Sequence, residues 1–520
     1  MMDHQLWQRA AGLVALMICP AALMIFGLTI MKYMSPIFSG IQYLDYDPAY
    51  QYLFNGAGLM RGYNPSHIDH PGTPVQLLTG IITVISWSIA RVSGLEHLEF
   101  TESIAVNSEA YLRVIMTLFL GMNCIAIYFL GAVISRSTRV LIAGVACQSA
   151  YFLFGMLFPR IFHVAPEAIL CLAATSLMIA LTPIIFGNEE CSDRRAGAVG
   201  FLVALGVISK VTFFPLLLLL FVIKRPRALF VALWSSILAM LALLLPILGK
   251  VGSFFGWLVS IAKHEGSYGT GTPGFVNWPA IPERLASIVF AEPLLIVAVV
   301  SLASVIIFLK PDQKRIAAIV VAAISLLIIL TLKHFGVHYL MPAVAIAPAT
   351  IVWVISSYTR RQLPYAVLAF VATCIGVLSL HNMSTAFAGE RSRREANGEA
   401  ISKVIASYRN PVVIGAYRSG YRPWAIQFAL AWSDLKFARL FPVATGDDSG
   451  LFYDSNSKKL RRVHMGEIDW SFLDRFERAG RVVLVVQPRG TKIDQRTIAT
   501  ETLLDQGFGD TVERVIVSRN

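Results

Sequence analysis

Long apolar runs alternate with short polar turns from the N-terminus to about residue 382. A run of about 18 residues or more is long enough to cross a hydrocarbon core roughly 30 Å thick. The pattern predicts eleven spans, at 11–32, 112–134, 139–158, 164–186, 196–209, 212–223, 228–248, 285–309, 316–333, 339–357 and 364–382. The fifth and sixth are short, and one long helix in their place is the competing reading. Charge separates the two. With the N-terminus in the cytoplasm, alternation puts Arg136/Arg139, Arg194/Arg195, Lys224/Arg225/Arg227, Lys310/Lys314/Arg315 and Arg360/Arg361 into short cytoplasmic turns. Lys and Arg in short loops mark that side of a membrane. Merging the two short spans would move three of these turns outside, so eleven separate spans are expected. The run Ala10–Met31 is long for a signal segment and is expected to remain as the first helix.

The same alternation leaves 33–111, 249–284 and everything after 383 on the far side. The run 75–92 is apolar enough to cross, but crossing would invert the charge pattern. It is therefore expected at the membrane surface, as an interfacial or re-entrant helix that suits Trp87 and Arg91. After 383 charged residues become frequent. Short β-type runs at Val412–Ala416, Val482–Gln487 and Val515–Ser518 are interspersed with helix-like segments at Trp424–Trp432 and Thr497–Gln506. The expected fold is a polytopic α-helical membrane domain over 1–382, followed by a soluble α/β domain over 383–520.

Composition agrees. The 520 residues are 56% hydrophobic and 15% charged, with mean hydropathy +0.63, where soluble chains carry about 25% charged residues. The net charge of +12 invites a nucleic-acid partner, yet much of the excess sits in the basic turns, so none is expected. Of the six cysteines, Cys19, Cys124, Cys147, Cys171 and Cys374 fall inside apolar runs and Cys191 in a turn. That spacing gives no disulfide framework and no CxxC metal pair.

Candidate chemistry is densest in the loop Asp45–Leu78, which gathers Asp45, Asp47, Arg61, His67, Asp69 and His70 between two apolar runs. Asp47 before Pro48 has the form of a helix N-cap. It also has the form of a fixed carboxylate above the bilayer, able to take a proton from an incoming hydroxyl or amine. The two readings are compatible. Farther on, Phe158-Pro159-Arg160 precedes Pro166-Glu167, Lys210 tops the hairpin between the two short spans, and Lys333, His334 and His338 occupy LKHFGVHYLMPA. An acid at a membrane boundary needs a partner, and Arg160 is the nearest in sequence. Lysines at span ends can equally be snorkelling side chains. The segment KHEGSYGTGTPGF in 249–284 has the glycines of a mobile cover over a cleft, and no nucleotide-binding motif.

Taken in order, these motifs resemble the polyprenyl-phosphate-sugar-dependent GT-C glycosyltransferases. The similarity is nearest to family 39, the protein mannosyltransferase and aminoarabinose-transferase type. The matching residues are Asp47-Pro48-Ala49-Tyr50, Gly62, and Asp69-His70-Pro71-Gly72-Thr73-Pro74, then Arg113, Arg160 with Glu167, and the Lys333–Pro342 string. The resemblance covers about 10–382 and implies that Asp47 is the catalytic base. The family usually has Asp-Glu where this chain has Asp47-Pro48, so a second acid would have to come from Asp45. Glu167 stands where the family usually has Asp. Arg61, His70, Arg160, Glu167, Lys210, Lys333, His338 and Tyr339 are the residues assigned to substrate.

What the resemblance implies is a multi-pass enzyme of a bacterial inner membrane, with a cytoplasmic N-terminus and a periplasmic C-terminal domain. It would move a hexosyl or pentosyl group from a polyprenyl-phosphate carrier to a lipid, glycan or protein acceptor on the periplasmic face. No cofactor is certain. A divalent metal stays open, since some enzymes of this kind use one; Asp45, Asp47, Glu167 and His70 could ligate it, without diagnostic spacing. The alternatives are a transporter or flippase of envelope glycolipids, which should carry charges near the bilayer centre in two related halves, and a sensor.

Overall fold

The computed structural model describes the chain except for residues 1, 34–48, 69–71, 188, 266–271, 275–276, 334–335, 360, 417–425, 427–428, 442–450, 455–458, 463–465, 489–498, 506–509 and 517–520. Asp45, Asp47, His70 and His334 lie outside the described residues. Helices α1 (Met2–Tyr33), α2 (Ala49–Met60), α3 (Thr73–Val92), α4 (Phe100–Val106), α5 (Ser108–Thr138), α6 (Leu141–Ala150), α7 (Leu157–Arg160) and α8 (Pro166–Gly187) come first. They are followed by α9 (Asp193–Ser209), α10 (Pro226–Leu244), α11 (Val251–Lys263), α12 (Ile281–Ala291), α13 (Pro293–Val305), α14 (Pro311–Lys333), α15 (Met341–Tyr358) and α16 (Leu363–Ala406).

Among the described residues, eight helical stretches are long and apolar enough to cross a membrane, or nine if Trp278–Ala291 and Pro293–Phe308 count as one bent span. The chain is a multi-pass membrane protein. The count differs from the expected eleven for local reasons. The run 139–158 stops being α-helical after Ala150 and turns through a single 3-10 turn at Tyr151–Leu153. The run 285–309 breaks at Glu292 with a 97° bend, because Pro293 has no amide hydrogen and restricts the residue before it. The run 75–92 is the continuous helix α3, and it qualifies as a span by length and composition. Its expected surface position rests on the charge pattern. Much of the expected outer loop 249–284 is helical: α10 continues through a 3-10 stretch kinked at Ile247 into α11.

The two short spans are separate elements. Helix α9 ends at Lys210, whose backbone is extended, and a 3-10 helix runs over Val211–Val222. Three residues per turn put Phe213, Leu216, Leu219 and Val222 in one row, and all four are buried. The far ends of the two arms meet. Asp193 accepts from Arg227 at 3.0 Å and lies 3.7 Å from Arg225, and Lys224 pairs with Asp312 at 2.7 Å. Three of the turns expected in the cytoplasm therefore come together at one end of the hairpin. Lys210 is at the other.

Two compact units divide the chain. One takes residues 1–28, 68–75 and 116–382; the other takes 29–67, 76–115 and 383–520. Residues 49–67 and 76–115 thus group with the chain after 383. In this second unit a seven-stranded sheet has the order β4-β3-β2-β1-β5-β7-β6. The strands are β1 (Val412–Ala416), β2 (Leu451–Asp454), β3 (Lys459–Arg462), β4 (Gly466–Ile468), β5 (Val483–Pro488), β6 (Ala499–Leu504) and β7 (Asp510–Ile516). Strand β1 runs parallel to β2 and β5, and the remaining pairings are antiparallel. Alternation sends Val412, Ile414, Val483 and Val485 to one core with Leu473 and Phe476. Val413, Leu484, Val486 and Val512 go to the other, with Ile401 of α16. The segment expected to be helical at Thr497–Gln506 is the edge strand β6, because pairing with β7 outweighs the helix preference of its Ala, Glu and Leu residues.

In the same unit α2 packs on both α3 and the C-terminal domain. Its Gly56 crosses α3 at Gly80 so closely that a Cβ on Gly56 would lie 2.5 Å from the Gln76 carbonyl oxygen. On its other side Phe54 meets Phe441 edge-on at 5.3 Å, and Asn55 donates to the Trp432 carbonyl at 3.1 Å.

Candidate functional site

Two buried charges of the first unit meet where α8 begins and α9 ends. Pro166 starts α8 and Glu167 follows in its first turn, while Lys210 follows the last residue of α9. The Lys210 ammonium donates to Glu167 Oε1 at 2.6 Å, with each side chain 1% exposed. His338 Nε2 stands 4.0 Å from the same oxygen, and Lys210 Nζ lies 4.7 Å from the centre of the Tyr339 ring. Arg160 acts on Glu167 electrostatically. Glu167 Oε2 is buried and accepts no hydrogen bond among the described residues. The sequence offered Arg160 as the nearest partner of Glu167; the direct partner is Lys210, brought there from 43 positions away by the hairpin. Ions at such depth persist when paired.

Five residues named from sequence therefore share one place: Arg160, Glu167, Lys210, His338 and Tyr339. Asn123 on α5 braces it, its amide 3.1 Å from the carbonyls of both Ile161 and Ala168. Asn123 sits inside an apolar run, and only its polarity there could have signalled it.

Lys333 belongs to a neighbouring arrangement. Its ammonium donates to the Ala262 carbonyl near the end of α11 at 2.6 Å. Arg284 donates to the carbonyls of Leu332 and Lys333 at 2.7 and 3.0 Å, closing the C-terminal end of α14. The Lys333 ammonium thus ties α14 to α11. Arg284, at the start of α12, was not singled out from sequence.

Residues 72 and 73 are fastened near Lys210. Gly72, in the left-handed conformation at φ +62°, donates its amide to the Ile208 carbonyl at 3.1 Å, and Thr73 Oγ1 donates to the Leu243 carbonyl at 2.6 Å. Gly72 follows His70 by two positions, and Ile208 precedes Lys210 by two. Arg61 is in the other unit, in the exposed turn that closes α2. There the Tyr50 hydroxyl donates to the Glu109 carboxylate, a partner that sequence reading passed over. Among the described residues no group of three or more His, Cys, Asp or Glu side chains is placed to hold a metal. Of the four candidate ligands, Asp45, Asp47 and His70 are outside the described set.

No protein-family model matches the chain, and no curated protein matches it. Solved structures do. The chain is similar to ArnT from Cupriavidus metallidurans bound to undecaprenyl phosphate, with TM-score 0.52 and 9% identity over 97% of this chain and 99% of that one. The apo form of the same ArnT gives TM-score 0.50 and 10% identity over 98% and 100%. At such identity the likeness concerns backbone architecture, and it runs the length of both chains. This chain shares its overall fold with ArnT from Cupriavidus metallidurans.

Proposed function

We propose that this protein is an inner-membrane glycosyltransferase that takes a sugar from a polyprenyl-phosphate carrier on the periplasmic face and delivers it to a lipid, glycan or protein acceptor. The observation that carries the reading is the buried Glu167–Lys210 pair with Arg160, His338 and Tyr339 around it, on a fold shared with an ArnT that binds undecaprenyl phosphate.

The charges suit an anion. Glu167 balances one cation, so Lys210 and Arg160 together leave the group net positive, more so when His338 is protonated. The Lys210 ammonium donates to Glu167 at 2.6 Å, and the carrier phosphate would accept from Arg160 and Lys210. In the transfer, Asp47 takes the proton of the acceptor nucleophile, with Asp45 beside it in sequence. The nucleophile bonds to the anomeric carbon as the bond from that carbon to the phosphate oxygen breaks. The electron pair leaves with the phosphate, and the cations stabilise the charge growing there. Arg61 and His70 would meet the acceptor or the sugar, and Lys333 would hold the neighbouring helices in register. A divalent metal at Asp45, Asp47 and His70 remains part of the reading to be tested.

The test compares envelope glycolipids and glycans by mass spectrometry in a deletion strain carrying either wild-type protein or Asp47→Asn at equal abundance. A glycan lacking one sugar in the deletion, restored by wild type and missing with Asp47→Asn, is the expected result, and the missing mass names the sugar. Full restoration by Asp47→Asn would leave Asp47 as a helix cap and move the transporter reading ahead.

A further inference from the structure

Glu292 is a buried carboxylate that the proposed mechanism does not use. It occupies the break between α12 and α13, where the chain bends by 97°, and it is 1% exposed. Its Oε1 accepts from the backbone amide of Met156 at 2.8 Å. Met156 is the residue immediately before α7, so the carboxylate sits at the N-terminal end of that one-turn helix. The last residue of α7 is Arg160. A carboxylate at a helix N-terminus meets orphan amides and the positive end of the backbone dipoles. A single turn has little stability of its own, so an external acceptor matters more here than on a long helix. At the other end of the same turn, Asn123 reaches the Ile161 carbonyl. The guanidinium-bearing turn is thus held at both ends from other helices, by Glu292 before it and Asn123 after it.

We infer that Glu292 is a positioning residue: it fixes the turn that presents Arg160 to the carrier phosphate, and it links that turn to the α12–α13 elbow. The inference rests on the reading of Arg160 as a phosphate contact. What holds the turn is the side-chain oxygen itself, which reaches the Met156 amide from the α12–α13 break. Glu292→Gln keeps an oxygen acceptor in the same place, whereas Glu292→Ala removes it.

The experiment uses the full-length protein in detergent with undecaprenyl phosphate as the probe. Binding is measured for wild type, Arg160→Ala, Glu292→Ala, Glu292→Gln and the Arg160→Ala/Glu292→Ala double variant, alongside backbone hydrogen exchange over 154–161. Glu292→Ala should weaken binding about tenfold and speed exchange of the Met156 amide, and Glu292→Gln should recover most of both. The double variant should bind no more weakly than Arg160→Ala alone, the non-additivity expected when one residue acts through another. Equal weakening by Glu292→Ala with and without Arg160 would overturn the inference, as would unchanged exchange over 154–161. If Glu292→Ala does not fold, Glu292→Gln and the exchange of its Met156 amide carry the test: slow exchange supports the inference, and exchange as fast as in an open turn overturns it. A wild-type protein that ignores undecaprenyl phosphate, yet shows the exchange pattern, would sink the phosphate reading and leave the bracing of α7 standing.

Discussion

The Lys210 ammonium and the Glu167 carboxylate stand 2.6 Å apart with almost no solvent on either. Each makes the other tolerable in an apolar setting. Removing one partner leaves the other charged and buried, which typically costs roughly 3–5 kcal/mol, whereas replacing both by apolar residues of similar volume is far milder. Lys210→Met and Glu167→Leu should each lower the thermal midpoint in detergent sharply, and the double variant should regain much of the loss. Additive losses in the double variant would mean that the two ions do not depend on one another.

Glu96 gives a pH dependence outside the spans. One carboxylate oxygen accepts from the Ser103 hydroxyl and from Asn107 at 3.1 Å; the other accepts from the amides of His97 and Leu98 at 2.9 Å. These bonds, Ser103 first, hold its carboxyl below the usual carboxylate range. A folded-state value below the unfolded one adds stability at pH above the ordinary value of about 4.3, and the contribution fades as pH falls through the lowered value. Midpoints measured from pH 7 down to pH 3 should fall more steeply for wild type than for Glu96→Gln. Parallel curves would show that the hydrogen bonds do not favour the ionised form.

Two glycines in helices make opposite predictions. Gly56→Ala puts a methyl 2.5 Å from the Gln76 carbonyl oxygen and 2.8 Å from the Gly80 nitrogen. Backbone atoms cannot swing aside, so α2 and α3 must separate, at about 1–3 kcal/mol. Gly121→Ala, on α5, meets nothing within 4 Å and should gain up to about 1 kcal/mol from helix preference. Chemical denaturation of the two variants reads both signs. A neutral Gly56→Ala would mean the α2–α3 crossing is looser than described.

Much of this arrangement was legible in the sequence because it is local. Apolar length marked most of the spans, and Lys/Arg placement marked which turns meet at one end. Glu167, Lys210, Arg160 and His338 were each visible as polar residues at span ends. Their grouping was not, because nothing in a one-dimensional pattern says that residue 210 folds back onto residue 167. The same holds for Glu292, an acid inside the run 285–309 whose partner is evident only once Met156 is seen against it. Strand β6 was misread because its residues prefer helix in isolation, and only β7 makes them a strand. Helix α11 lies in a stretch defined only by the alternation of spans, which says nothing of its local structure. The union of the α2 region with the C-terminal domain depends on contacts such as Phe54 with Phe441, nearly 390 positions apart.

The hairpin that carries Lys210 is short on both arms. Seventeen residues of α9 at 1.5 Å each reach about 26 Å, and twelve residues of 3-10 helix at 2.0 Å each reach about 24 Å. An α-helical second arm would reach only about 18 Å, so the tighter winding is what lets twelve residues match seventeen. A hydrocarbon layer is about 30 Å thick, so each arm alone is several ångströms too short to cross it. Deleting one residue from the second arm would shorten it by about 2 Å and turn its buried row by a third of a revolution. The 3-10 winding thus sets how far Lys210 stands from the basic turns at the other end of the hairpin.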